Sequence, residues 1–255
     1  MSYRSPTERK LHRRRVLRLT GVALLGLLIA SVLDVPAFFA LTERVPVSEA
    51  MRLQASEAGE RVPYVVHTDR FVRNDWYRVL RVSGSLWAWV VVALAFVLVD
   101  RARPPTRFGV RHPFEAYRRG AILLASAVAA GLIAELLKLI IGRERPIDGA
   151  VYQGYVFKPF LSALAGNGGN LGIPSSHTAV AFGAAAALAR LHAPLRALVY
   201  TLAIGCALSR MVVGAHWLSD VYLGGVLGFA TASLVHPLLG GRPPSGGVVR
   251  RSRLG

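Results

Sequence analysis

A single cysteine, Cys206, stands in the 255-residue chain, so no internal disulfide can form and cysteine usage says nothing about redox compartment. It lies in an apolar run and reads as a small core residue. Acidic residues are scarce, 14 against 31 lysines and arginines. Nowhere do carboxylates gather densely beside a histidine, which argues against a metal centre. No internal repeat is visible, and the Pro/Gly-rich tail after Gly240 is the only low-complexity stretch. The first apolar run lacks a small-x-small cleavage site and is longer than a signal-peptide core, so it reads as an uncleaved span.

Apolar sequence, by contrast, is abundant. Hydrophobic residues make up 53% and the mean hydropathy is +0.42, values normal for a multi-span membrane protein. The net charge of +17 is of the kind that suits nucleic acid. Its placement points elsewhere, because many basic residues sit in short stretches between long apolar runs, where the positive-inside rule expects them. No nucleic-acid partner is expected.

Six apolar runs cover about 17–41, 82–99, 120–141, 177–191, 195–213 and 217–239. Asp34 and Pro36 near the end of the first predict a kink, with the charge close to the interface. The fourth run is short and alanine-rich and is expected to be enclosed by its neighbours. The brief 190–196 connection forces the fourth and fifth runs into an antiparallel hairpin. The expected fold is all-α, an integral membrane bundle of six transmembrane helices. Its parts are a basic cytoplasmic N-terminus (1–16), the six-helix domain (17–240) with an outer loop (42–81), and a disordered basic tail (241–255). Loop 42–81 has room for two amphipathic pieces lying on the membrane. An even span count puts both termini on one side, and the arginine-rich 101–119 loop makes that side cytoplasmic.

With that topology three polar clusters share the outer face. Lys138 and Arg145 close the third run; seven residues apart, they share one face if the helix continues, and Pro146 then ends it. Lysine offers a point charge and arginine a forked donor set for phosphate oxygens. In the second cluster, Pro174-Ser175-Ser176-His177 opens the fourth run. Serine reads as an N-cap, and the helix N-terminus as an anion site with His177 in its first turn. The glycine-rich stretch from Gly166 to Gly172 lets backbone approach a ligand closely. The third is Ser209-Arg210, five residues, His216, three residues, Asp220. His216 and Asp220 lie four apart, so on a helix the carboxylate fixes one ring nitrogen and frees the other as a nucleophile. Together these parts suffice for a two-step phosphoryl transfer.

In these blocks the sequence resembles the type 2 phosphatidic acid phosphatase superfamily. The family pattern is Lys, six residues, Arg-Pro; then Pro-Ser-Gly-His; then Ser-Arg, five residues, His, three residues, Asp. It is matched at Lys138, Arg145, Pro146, Pro174, Ser175, His177, Ser209, Arg210, His216 and Asp220. Ser176 stands where glycine is usual and puts the fine geometry there in question.

The resemblance implies a bundle of the phosphatidic acid phosphatase/haloperoxidase type, and the six-span layout extends the likeness to most of the chain. The topology puts the active site on the outer, periplasmic side, and the small size and lack of targeting signals point to a bacterial inner membrane. It implies a metal-independent lipid phosphatase without cofactor. His216 is then the nucleophile, Asp220 its orienting partner and His177 the general acid and base. Lys138, Arg145, Arg210, Ser175 and the backbone near Ser176 hold the phosphate. The lipid substrate is polyprenyl pyrophosphate, phosphatidic acid, phosphatidylglycerol phosphate or lipid A. The alternatives are a lipid phosphotransferase, a transporter or flippase without chemistry, and a silent binding module.

Other residues have plainer readings. Glu135, three before Lys138, reads as a structural ion-pair partner. Trp217 reads as a belt residue. Tyr152, Tyr155, Phe157 and Phe160 read as interfacial anchors that also line a path for lipid.

Overall fold

Pro36 breaks the first apolar run. It has no N–H to give the carbonyl of Val32, and the helix that begins at Pro6 ends at Val32 and restarts at Asp34. The computed structural model describes residues 6–46, 48, 64–66, 68–102, 113–148, 151–162 and 169–240. The 241–255 tail, residues 1–5, much of loop 42–81, residues 103–112 and Gly166 to Gly168 lie outside them.

Among the described residues the helices are α1 (Pro6–Val32), α2 (Asp34–Leu41), α3 (Asp69–Val72), α4 (Asp75–Val82), α5 (Leu86–Ala102), α6 (Pro113–Ile141), α7 (Ser176–Leu191), α8 (Arg196–Val212) and α9 (Leu218–Gly240). Four of them (α1, α6, α8 and α9) are long and apolar enough to cross a membrane. A fifth span results if α4 and α5, bent by 65° at their junction, count as one. The expected six spans are thus met only in part. The shortfall is α7, whose 16 residues are fewer than the roughly 20 a bilayer needs.

α7 is instead the centre of the bundle, packed against α9, α6 and α8. Its alanines from Ala184 to Ala187 are fully buried, and their small side chains let neighbouring backbones come close. At Gly224 of α9 a Cβ would stand 2.6 Å from the Ser175 carbonyl oxygen, so only glycine permits that approach. α1 packs along α9 and leaves Leu17, Leu24 and Leu28 about 60% exposed, a surface suited to lipid.

The all-α expectation misses a small antiparallel sheet. Strands β1 (Arg44–Pro46), β2 (Tyr64–Val66), β3 (Ile147–Asp148) and β4 (Val151–Tyr152) run in the order β1-β2-β4-β3. Strands of two or three residues are too short to show alternation in sequence. The sheet and α2 enclose a local core of Phe38, Val66 and Trp217, with Ile147 and Tyr152 against it. Trp217 is fully buried and so is no belt residue. Among the described residues of loop 42–81, the amphipathic helix α4 lies against α8 and buries Tyr77.

Candidate active site

α6 ends at Ile141 because Gly142 turns left-handed, φ +70°. Lys138 and Arg145 therefore do not share a helical face, and Gly142 rather than Pro146 stops the helix. Residues 143–145 run extended between two strips of loop: Glu144 N donates to Val156 O at 2.9 Å, Arg145 N to Asn170 O at 2.9 Å and Gly172 N to Arg143 O at 2.8 Å. The two cations still converge, since both act electrostatically on Glu135. Glu135 accepts from Lys138 Nζ at 2.9 Å, the ion pair that the spacing predicts.

Ser175 is the N-cap of α7, as expected, although its hydroxyl bonds no backbone N–H. Its Oγ accepts from Thr178 Oγ1 at 3.1 Å, and its N–H donates to Asp220 O at 3.0 Å. Ser176 Oγ accepts from Lys138 Nζ at 2.9 Å. His177 sits in the first turn, within electrostatic range of Arg210, His216, Arg81 and Lys138.

The last turn of α8 carries Arg210, whose Nη1 donates to Tyr77 OH at 3.1 Å. A left-handed Gly214, φ +65°, then turns the chain so that His216 arrives just before α9. His216 is thus off the helix, yet its Nδ1 still faces Asp220 Oδ2 at 3.4 Å. The same Oδ2 accepts from Trp217 N at 2.9 Å. Asp220 is the third residue of α9 and reaches back to the N-cap backbone, as a capping box does. It both starts the helix and orients the histidine.

Burial pushes the His216 imidazole down to about 4, against the pull of Asp220 upward, so the ring is neutral at neutral pH. Arg145 and Arg210 each keep a buried Nε with no partner among the described residues. Buried donors of that kind need an acceptor. The site therefore offers a neutral imidazole, a helix N-terminus and cations with donors to spare. That combination suits a phosphate.

Several residues to which the sequence reading gave no part in the site belong to its surroundings. Asp34, expected near the interface, is fully buried. Its Oδ1 accepts from Ser219 N at 2.6 Å, and its Oδ2 accepts from Ser219 Oγ at 2.5 Å and Tyr155 OH at 3.1 Å. Arg143 pairs with Asp220 Oδ1 and with Asp34 at 3.4 Å. The signal for Asp34 was its charge inside an apolar run; for Arg143 it was its place inside the first block. Tyr77 and Arg81, four apart on α4, share the face toward Arg210, and Arg81 acts electrostatically on Arg210. Of the outer-loop aromatics, Tyr155 stacks on Trp217 at 4.6 Å, Tyr152 packs against Phe38 and Phe39, and Phe157 and Phe160 are exposed.

The comparisons agree with the motif blocks. The family model described as PAP2 superfamily matches residues 119–243, which include every motif residue named above. The chain is 37% identical over 105 residues to a lipid A 1-phosphatase of Rhizobium etli, covering 41% of this chain and 44% of that protein. It is 37% identical over 105 residues to a lipid A 1-phosphatase of Rhizobium johnstonii, covering 41% of each. The chain thus spans less than half the length of the relatives it matches. No solved structure matches. The three motif blocks therefore all fall within the stretch, residues 119–243, that matches the PAP2 superfamily.

Proposed function

We propose that this protein is a membrane lipid phosphatase that works through a phosphohistidine and needs no metal. The observation that carries the reading is His216, buried and neutral, with Nδ1 on Asp220 and Arg210 and Arg145 close enough to act on it electrostatically. In the first step His216 Nε2 attacks phosphorus. The P–N bond forms as the bond to the lipid oxygen breaks, and His177, having taken up the proton of the entering phosphate, gives it to that oxygen. In the second step His177 takes a proton from water, which attacks phosphorus; the P–N bond breaks and inorganic phosphate leaves. Asp220 steadies the positive charge on the His216 ring. Lys138, Arg145, Arg210, Ser175 and the α7 N-terminus hold the oxygens and offset the charge of the transition state.

The relatives' names make the 1-phosphate of lipid A the first substrate to try. Polyprenyl pyrophosphate, phosphatidic acid and phosphatidylglycerol phosphate complete the panel. We infer an inner-membrane location with cytoplasmic termini and the site on the outer side, from the distribution of basic residues and with α7 as a sixth crossing enclosed by its neighbours, since its ends meet the ends of α6 through Ser176–Lys138 and His192–Arg119.

The test is phosphate release from that panel by the full chain in detergent with EDTA, with His216→Ala and Lys138→Ala alongside. Release that survives EDTA and is lost in both variants supports the mechanism. Release that needs a metal, or that persists in His216→Ala, sinks it. Consumption of lipid without phosphate release, when an acceptor alcohol is present, points to a phosphotransferase.

A further inference from the structure

Helix α9 begins beside the nucleophile, and its first N–H groups need acceptors. Its N-cap residue is Trp217, whose side chain carries no acceptor. Asp220 takes the N–H of Trp217. The next need, the N–H of Ser219, is met from outside the helix by Asp34 Oδ1 at 2.6 Å. Asp34 belongs to α2 and is separated from Ser219 by 185 positions, so the start of the first apolar run's second helix caps the helix that carries the site's carboxylate.

Asp34 does more than cap. Its Oδ2 accepts from Ser219 Oγ at 2.5 Å and faces Arg143 Nη1 at 3.4 Å. Arg143 in turn donates through Nη2 to Ser219 Oγ at 2.5 Å and to Asp220 Oδ1. One buried guanidinium is therefore shared between two carboxylates. Tyr155 OH also donates to Asp34, at 3.1 Å. All the partners on Asp34 are donors, the surroundings of an ionised carboxylate.

We infer that Asp34 is a positioning residue for the reaction at His216: by capping α9 and sharing Arg143 with Asp220, it fixes the Asp220 carboxylate so that Oδ2 faces the imidazole. The inference rests on the phosphatase reading above. With Asp34 neutral, Arg143 would lie wholly on Asp220 and draw its charge away from Nδ1 of His216. Losing the Asp34 charge acts in the same direction, because both changes make the imidazolium less stable. The other charged or titratable groups acting on the ring are Arg210 from α8, Arg145 from the extended segment and His177 from α7. None of them contacts Asp34 in the hydrogen bonds described.

The experiment measures kcat, KM and pH profile for full-length wild type, Asp34→Asn, Asp34→Ala, Ser219→Ala and His216→Ala, each checked for a monodisperse fold in detergent. Asp34→Asn is expected to lower kcat about 10- to 100-fold with little change in KM, the cost of a misplaced catalytic group. The ratio of variant to wild-type kcat cancels the titration of the substrate. It is expected to rise as pH falls through about 4, where the wild-type ring takes up its proton, because the variant's histidine stays neutral to lower pH. A folded Asp34→Asn with kcat within about twofold of wild type, or with a flat ratio, overturns the inference. If neither Asp34 variant folds, Ser219→Ala decides: a fall in kcat at constant KM supports the relay and an unchanged kcat overturns it. An active His216→Ala would break the phosphohistidine reading itself, whereas an inactive one beside an unaltered Asp34→Asn breaks only the positioning role.

Discussion

Lys138 donates from Nζ to Ser176 Oγ at 2.9 Å while keeping Glu135 Oε1 at the same distance. Ser176 is the residue at which this chain departs from the family's usual glycine. The hydroxyl draws the lysine to the α7 N-terminus, where the phosphate is proposed to sit. Ser176→Ala removes one of two partners and leaves the backbone N–H in place. A single hydrogen bond contributes about 0.5–1.5 kcal/mol, so KM should rise about three- to tenfold with kcat less affected. Lys138→Ala should lose activity altogether. Steady-state kinetics on one lipid substrate checks both, and equal kinetics for Ser176→Ala and wild type would remove the hydroxyl from the site.

Two adjacent glycines of α9 differ sharply in surroundings. A Cβ at Gly224 would meet the Ser175 carbonyl oxygen at 2.6 Å, whereas one at Gly225 would meet only the Phe182 ring, at 3.6 Å. Gly224 is one helical turn beyond Asp220, so separating α9 from α7 there also displaces the carboxylate. Gly224→Ala is expected to lower thermal stability by about 1–3 kcal/mol, the usual cost of overpacking, and to reduce kcat. Gly225→Ala should match wild type in both. Thermal unfolding in detergent and phosphate release measure the pair.

The chemistry of the site was more legible in the sequence than its support. His216, Asp220, His177 and Arg210 come together because the blocks hold fixed spacings, and a spacing survives even where the local structure was misread. His216 and Asp220 meet although only Asp220 is on a helix. Lys138 and Arg145 converge although Gly142 breaks the helix between them. Asp34 was out of reach because its partners, Ser219 and Arg143, lie more than a hundred positions away, and a lone acid in an apolar run names no partner. The sheet was invisible for a different reason: its strands are too short to carry a pattern. The apolar runs gave helix positions well but not span number, since the length of α7 suits a buried centre rather than a lipid-facing crossing.

Far from the site, Asp100 on α5 pairs with Arg119 on α6, whose Nε reaches Asp100 Oδ2 at 2.7 Å. Both side chains are largely buried, and Arg119 also lies 3.0 Å from His192 Nε2. Along α6 this pair is about 28 Å from Lys138 at the helical rise per residue. Breaking a buried pair by removing one partner costs about 3–5 kcal/mol, so Asp100→Ala should lower the unfolding temperature strongly. kcat per folded molecule should stay at the wild-type value. A proportionate loss of kcat in the folded fraction would show that this end of the bundle is coupled to the chemistry.

The buried imidazole of His216 gives stability a definite dependence on pH. Its ordinary value is 6.5, and burial holds it at about 4 in the fold. Below 6.5 the unfolded chain takes up a proton at this position that the folded chain refuses until about 4. Acid therefore favours the unfolded state across that window, and stability from this group falls as pH drops from 6.5 to 4. Below about 4 both states are protonated and no further loss follows. His216→Gln removes the titration and keeps a polar side chain. The expected result is a melting temperature for His216→Gln that gains on wild type as pH is lowered from 7 to 4, with the gap levelling off below that. Thermal unfolding in one detergent at stepped pH measures it, and because every other titrating group is common to both proteins, parallel curves would mean that the fold leaves the wild-type ring at its ordinary value. That outcome would also confine the neutral nucleophile to pH values above about 6.5, since a protonated Nε2 has no lone pair with which to attack phosphorus.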